Sequence, residues 1–462
     1  MKKNSLTTIA VLISAILILT YITGIPQSDK HKEQNNKEKG FDQEIINNTQ
    51  QLLTEGRNVF RFETFGDESF WGDTLKLHLS IEGSKFGGVG PGLSPKQALA
   101  VGLKVDIDAL TPLLRDEIKN GNVDLNDPAI TLELLKLNAV VGVIAQFNSK
   151  NLISKASNKS RTEGALKSIG LTCAVCHSTV DDALLPGIGH RRDGWANRDL
   201  NVGGIASLAP DLSYFADLLG VNQLTVRKVF LSWGAGKFDA ELNLDGKSFR
   251  PDGKPAATLI PPAFGLSGVN NHTWTGGWGT VTYWNAFVAN LELGGKGVFF
   301  DRRLDDANHY PVAAKAGFGN KRSDTDLITS KLASLHFYQL AIPSPKPPMG
   351  SFDSVAASRG AIIFSGKATC ATCHVPPLFT EPGWNTHKPG DIGIDDFQSN
   401  RSPDSTYRTP PLKGLWTHTK GGFYHDGRFA TLLDVVNHYN NFKQLMLTDA
   451  EKKDLVEYLK SL

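Results

Sequence analysis

Cys173-Ala174-Val175-Cys176-His177 and Cys370-Ala371-Thr372-Cys373-His374 are the two segments on which the reading of this chain turns. Each holds two thiols separated by two residues, with an imidazole directly after the second. That spacing lets both sulfurs reach the vinyl groups of one porphyrin while the histidine swings under its iron, which is the attachment chemistry of a c-type haem. The sequence has four cysteines, all inside these segments, so none remains for a disulfide. A pair of half-sites contributing four thiolates to zinc is the competing arrangement, and it leaves both adjacent histidines without a role. Two covalently bound haem c groups are therefore expected on Cys173, Cys176, Cys370 and Cys373. His177 and His374 are the expected proximal iron ligands.

Outward from these segments, the chain reads as globular. Its 462 residues are 40% hydrophobic and 21% charged, with a formal charge of +2, so nothing points to nucleic acid or an anionic surface as a partner. Lys2 and Lys3 precede an uncharged apolar run over residues 4–27, which reads as a signal peptide or an uncleaved inner-membrane anchor. Either places the globular part outside the cytoplasm, in the periplasm or its equivalent. Residues 28–50 are rich in Lys, Glu, Gln and Asn and read as a disordered spacer. Residues 51–160 are expected to form an N-terminal helical region in which Leu132 to Phe147 is one buried helix and His78 is structural.

A Gly-, Asn- and Trp-rich stretch follows the first haem segment, a composition of loops wrapped around something. The stiff run Pro343 to Pro348 marks a boundary, giving a first haem domain over 161–342 and a second over 343–462. Ser354 to Phe364 is expected to be a helix that delivers the second haem segment. Thr431 with Asp434, and Thr448 with Glu451, have the spacing that starts two final helices. The expected fold is mainly α: two cytochrome-c-like haem domains with long loops and an additional N-terminal helical region.

The run Tyr407-Arg408-Thr409-Pro410-Pro411-Leu412, followed by Gly422 to Leu432 with its His425-Asp426-Gly427-Arg428 element, resembles the C-terminal haem domain of the dihaem cytochrome c peroxidase superfamily. That superfamily holds bacterial cytochrome c peroxidases, MauG-type enzymes and dihaem rubber oxygenases. The resemblance covers roughly residues 172–462, and Gly187-Ile188-Gly189-His190 looks like another of its elements. It implies that His425 and Arg428 contact the haem edge or its propionates. It also implies a distal ligand for the second haem fourteen residues after His425, at Tyr439, the MauG-type choice of ligand. His438 and Met446 are the competing ligands there, and Met349 reads as a loop residue. A tyrosine ligand resists reduction of the iron more than a thioether does.

For the first haem the resemblance implies that His190 is a displaceable distal ligand. Trp274 is the implied relay between the haems, with Trp233 and Trp284 as competitors, and Glu292 the implied distal acid. The expected function is a dihaem oxidoreductase that reduces hydrogen peroxide or activates dioxygen at the N-terminal haem. Electrons would pass through the C-terminal haem from a small cytochrome or cupredoxin. A non-catalytic electron-transfer cytochrome, and an oxygenase or protein-modifying oxidase, are the alternatives.

Overall fold

The computed structural model describes residues 40–148 and 164–462. The expected export segment at 1–27 and most of the spacer lie outside the described residues. Contacts separate two compact units, Met1–Leu53 and Thr54–Leu462. Helix predominates, and the strands form only two-stranded pairs among the described residues.

Helix α1 (Phe41–Phe62) begins inside the stretch expected to be spacer, with Asp42 and Glu44 in its first turn and Arg61 in its last, charges placed to favour the helix dipole. The apolar residues Phe41, Ile45 and Ile46, set among polar ones, give that stretch a helical pattern that its composition concealed.

The buried helix expected over Leu132 to Phe147 is two elements. Helix α2 (Pro128–Lys136) starts on the Asp127 cap with proline at its first position and then stops. Asn138 takes a left-handed φ of 52° and Gly142 one of 76°, and between them the chain turns into strand β1 (Val143–Phe147). β1 pairs antiparallel with β2 (Leu166–Leu171), Val143 opposite Leu171. The β-branched run Val140, Val141, Val143, Ile144 prefers that pleated surface to a helix. His78 is buried in the core, as expected.

One apolar core runs from Val59 to Leu335 and includes Phe60, Leu75, Val141, Ile169, Ala174 and Phe230, so residues on both sides of position 160 share it. The approach is close where the two parts meet. The Thr172 amide donates to the Gly142 carbonyl at 3.0 Å. A Cβ on Gly142 would fall 2.1 Å from the Val175 nitrogen, in the middle of the first haem segment. A second core gathers Trp278, Phe287, Phe299, Leu304 and Tyr310 around helix α3 (Val281–Phe287).

The C-terminal part has its own core of Phe364, Val436, Leu447, Leu455 and Leu459. Helix α4 (Ser354–Ser365) lies against the final helix α6 (Asp449–Ser461), and a Cβ on Gly360 would meet the Asp454 carbonyl at 2.1 Å. Both expected capping boxes form, Thr431 with Asp434 at the start of helix α5 (Leu432–Phe442) and Thr448 with Glu451 at the start of α6. Each such cap stabilises its helix by about 0.5–2 kcal/mol. These helices hold the second haem segment, which follows α4 directly.

Candidate functional site

The first haem segment forms a single turn, Ala174–His177, at the wall of a large cavity. Cys173, Cys176 and His177 face this cavity together with an apolar lining that includes Trp71, Leu135, Ile169, Leu200 and Phe230. The His177 Nδ1 is 3.1 Å from the Pro261 carbonyl, which fixes that nitrogen as the donor and leaves Nε2 free to coordinate. Burial lowers the His177 pKa to about 4, so the ring is the neutral form a metal requires. Burial also pushes the Cys173 and Cys176 thiols up to about 12. Such a site disfavours thiolates, and the four cysteines do not converge on one point among the described residues, as zinc would need.

The second segment repeats the histidine arrangement. The His374 Nδ1 lies 3.1 Å from the Phe379 carbonyl, and burial lowers its pKa to about 4. Tyr439, on α5, lies near enough to Cys373 and Cys370 for their charges to bear on its hydroxyl, whose pKa is raised first by burial. The rings of Tyr424 and Tyr439 are 6.4 Å apart. His438, the competing ligand, has its Nε2 2.9 Å from the Ile392 carbonyl. Met446 is 80% exposed and Met349 wholly so.

Three of the expected catalytic residues fall in two places. Trp274 and Glu292 line the His177 cavity. The Trp274 indole donates to the Leu259 carbonyl at 2.7 Å, and the Arg408 amide donates to the Trp274 carbonyl at 3.3 Å. Among the described residues neither Glu292 carboxyl oxygen has a hydrogen-bond partner, and burial, with Glu241 and Asp239 nearby, holds its pKa well above the ordinary carboxylate range. Trp233 and Trp284 line the same cavity, Trp284 stacked on Phe287 with centroids 4.8 Å apart.

His190 is elsewhere. It directly follows the strand Ile188–Gly189, which pairs in parallel with Val105–Asp106, and its exposed ring sits 3.0 Å from the Asp108 carboxylate, outside the cavity lining. Asp108 raises its pKa by hydrogen bond and charge.

Two features of the site have no motif. Arg401 is fully buried and bonded to Asp239 at 2.9 Å and Asp245 at 2.8 Å, carboxylates that are themselves fully buried. Arg198 is 8% exposed, and none of its three guanidinium nitrogens has a hydrogen-bond partner among the described residues. Burial lowers its pKa to about 10. Arg198 follows Asn197, whose amide donates to the Cys176 carbonyl at 2.9 Å. On its other side a Cβ on Gly421 would lie 3.4 Å from Nη1. A buried guanidinium without an anion is costly, so this position calls for an acidic ligand. A haem propionate has that chemistry. With two neutral, oriented imidazoles, four uncharged thiols and an apolar cavity, the residues present fit a covalently held haem.

No protein-family model matches the chain. It is 25% identical over 249 residues to methylamine utilization protein MauG of Methylorubrum extorquens, covering 45% of this chain and 65% of that protein. It is 27% identical over 244 residues to cytochrome-c peroxidase IdrP1 of Denitromonas iodatirespirans, covering 40% of this chain and 63% of that one. The chain thus spans just under two thirds of the length of these relatives. Among solved structures, hydrazine synthase of Kuenenia stuttgartiensis is similar at 19% identity and TM-score 0.28, covering 47% of this chain and 76% of that one. A MauG-like protein associated with microbial copper homeostasis is similar at 20% identity and TM-score 0.29, covering 48% and 76%. On its sequence relatives, the chain is similar to members of the dihaem cytochrome c peroxidase/MauG superfamily.

Proposed function

We propose that this protein is a c-type dihaem oxidoreductase that reduces hydrogen peroxide or activates dioxygen at the His177 site, using electrons delivered through the His374 site. The observation that carries the reading is the unpartnered Glu292 carboxyl facing the same cavity as His177. When bound, the two haems supply iron that coordinates the oxidant and stores electrons.

The chain's own residues do the rest. Cys173, Cys176, Cys370 and Cys373 tether, and His177 and His374 ligate, each oriented through Nδ1 by a backbone carbonyl. Glu292, held protonated by burial, can give a proton to the distal oxygen of an oxidant and recover it, the task of a general acid–base. The apolar lining excludes bulk water and strengthens that exchange. Trp274 joins this cavity to the segment Arg408 to Leu412 and is the proposed relay. Tyr439 is the proposed distal ligand of the second haem. Arg198 balances a propionate.

His190 lies on the surface, so we assign the oxidant face to Glu292 and no ligand role to His190. The electron donor is a small cytochrome or cupredoxin, and the protein works outside the cytoplasm. Among the described residues no helix is long and apolar enough to cross a membrane, and the anchor or signal expected at 4–27 lies outside them.

The test is intact mass and electron paramagnetic resonance of the exported protein. Two added haem masses, one lost on replacing Cys173 and Cys176 with Ala, are expected, with one high-spin haem that responds to cyanide. Two low-spin, cyanide-inert haems in every redox state would leave an electron-transfer cytochrome instead.

A further inference from the structure

Glu292 belongs to two cavities at once. Besides the one at His177 it lines a second chamber, walled also by Asn243, Asn290, Phe318 and Lys321. Asn243, Phe215 and Glu292 are common to both linings. The outer wall of the chamber includes Ala316, Gly317 and Asn320, all exposed, so the chamber lies between the surface and the residues it shares with the His177 cavity.

Along that run the buried polar atoms lack partners. Among the described residues the side-chain oxygens of Asn243 and Asn290 find no donor, like both oxygens of Glu292. Asn290 is 1% exposed, and its amide nitrogen donates to the Ala286 carbonyl at 2.9 Å, which leaves Oδ1 unused. The Lys321 ammonium is fixed on the same wall by the carbonyls of Asn290 and Gly295. A buried acceptor left unpaired costs about 1–3 kcal/mol, and several such atoms around a polar space are the setting in which ordered water is held. The two side-chain carbonyls can only accept and the Glu292 acid has a single O–H to give, so at least one of them needs water as its donor.

We infer that this chamber is the proton inlet of the His177 site: water held by Asn243 and Asn290 reprotonates Glu292 from solvent, by a route separate from that of the oxidant. Glu292 gives its proton to the oxidant's oxygen and takes one from chamber water, which bulk water replenishes. No electron moves along the path, and the carboxyl returns to its neutral form. The inference rests on the reading of Glu292 as the acid.

The experiment is infrared spectroscopy of the holoprotein after transfer into D2O. The acid C=O stretch of Glu292, assigned by its loss in Glu292→Gln, shifts as its proton exchanges. Asn243→Leu closes the inner end of the chamber, and Ala316→Trp plugs its exposed mouth without touching the core. Both are expected to slow the shift at least about tenfold, and in Ala316→Trp, which lies outside the His177 cavity, the visible spectrum and the rate of peroxide binding are expected to be unchanged. Wild-type exchange in both variants overturns the inlet. So does slower peroxide binding with unchanged exchange, which would make the chamber the oxidant's own path. Full peroxide turnover in Glu292→Gln would instead remove the acid reading, and it is scored independently of the exchange rates.

Discussion

The indole of Trp274 and the backbone of Leu259 are joined by a 2.7 Å hydrogen bond, and the Leu259 amide donates in turn to the His425 carbonyl at 2.7 Å. The backbone of one residue thus connects the wall of the His177 cavity to the His425-Asp426-Gly427-Arg428 element of the C-terminal part. Trp274→Phe keeps the aromatic packing and removes that donor, which costs about 0.5–1.5 kcal/mol of stability. Stopped-flow spectra are expected to show slower electron delivery between the two haems. Trp233→Phe, with its indole nitrogen unpartnered, is expected to leave that rate unchanged.

Arg198 should set a reduction potential. Replacing it with Met removes a buried positive charge that favours the reduced haem, so the midpoint potential of one haem falls. Arg198→Lys restores most of it but loses the planar fork that matches a carboxylate. Potentiometric titration of both variants checks the order.

If Tyr439 is an iron ligand, Tyr439→Phe opens or exchanges a coordination position. The expected outcome is a changed visible and paramagnetic spectrum for the second haem, with a higher potential. Met446→Leu, at an 80% exposed position, is expected to leave both unchanged.

The Glu292 carboxyl gives stability a pH dependence whose sign is set by its raised folded-state pKa. The folded state holds the proton after the unfolded chain has released it. Its contribution is full below the ordinary glutamate range and is lost as pH rises from there toward the folded pKa. Urea titrations from acid to mildly alkaline pH should show wild-type stability falling more steeply than that of Glu292→Gln, by up to about 1.4 kcal/mol per pH unit. Equal slopes would place the carboxyl in contact with solvent.

Arg401→Met leaves Asp239 and Asp245 buried without their cation. Breaking a buried pair in this way costs about 3–5 kcal/mol. A thermal melt is expected to show the loss, and a second substitution of Asp239 with Asn is expected to recover part of it.

Local chemistry was legible in the sequence, and long-range placement was not. The haem segments and both capping boxes depend on spacings of a few residues, so reading along the chain finds them. The apolar stretch from Leu132 hid a strand because periodicity alone does not separate a short buried helix from a strand, and the partner, β2, begins only at Leu166. Arg401 meets Asp245 156 residues away, and no local pattern encodes such a meeting. Arg198 carries no motif at all; only its buried, unpaired state singles it out. His190 has the expected neighbours in sequence, yet Asp108, from the region outside the resemblance, holds its ring at the surface.

Gly142 sits with its α-carbon pressed on the backbone of Val175, in a left-handed conformation that other residues adopt at a cost. The stretch before residue 148 is therefore built into the packing of the Cys173–His177 segment, rather than an accessory beside it. A fragment starting at residue 164 would lose that support, and a graft of this stretch onto a shorter relative would need a glycine and its turn to come with it.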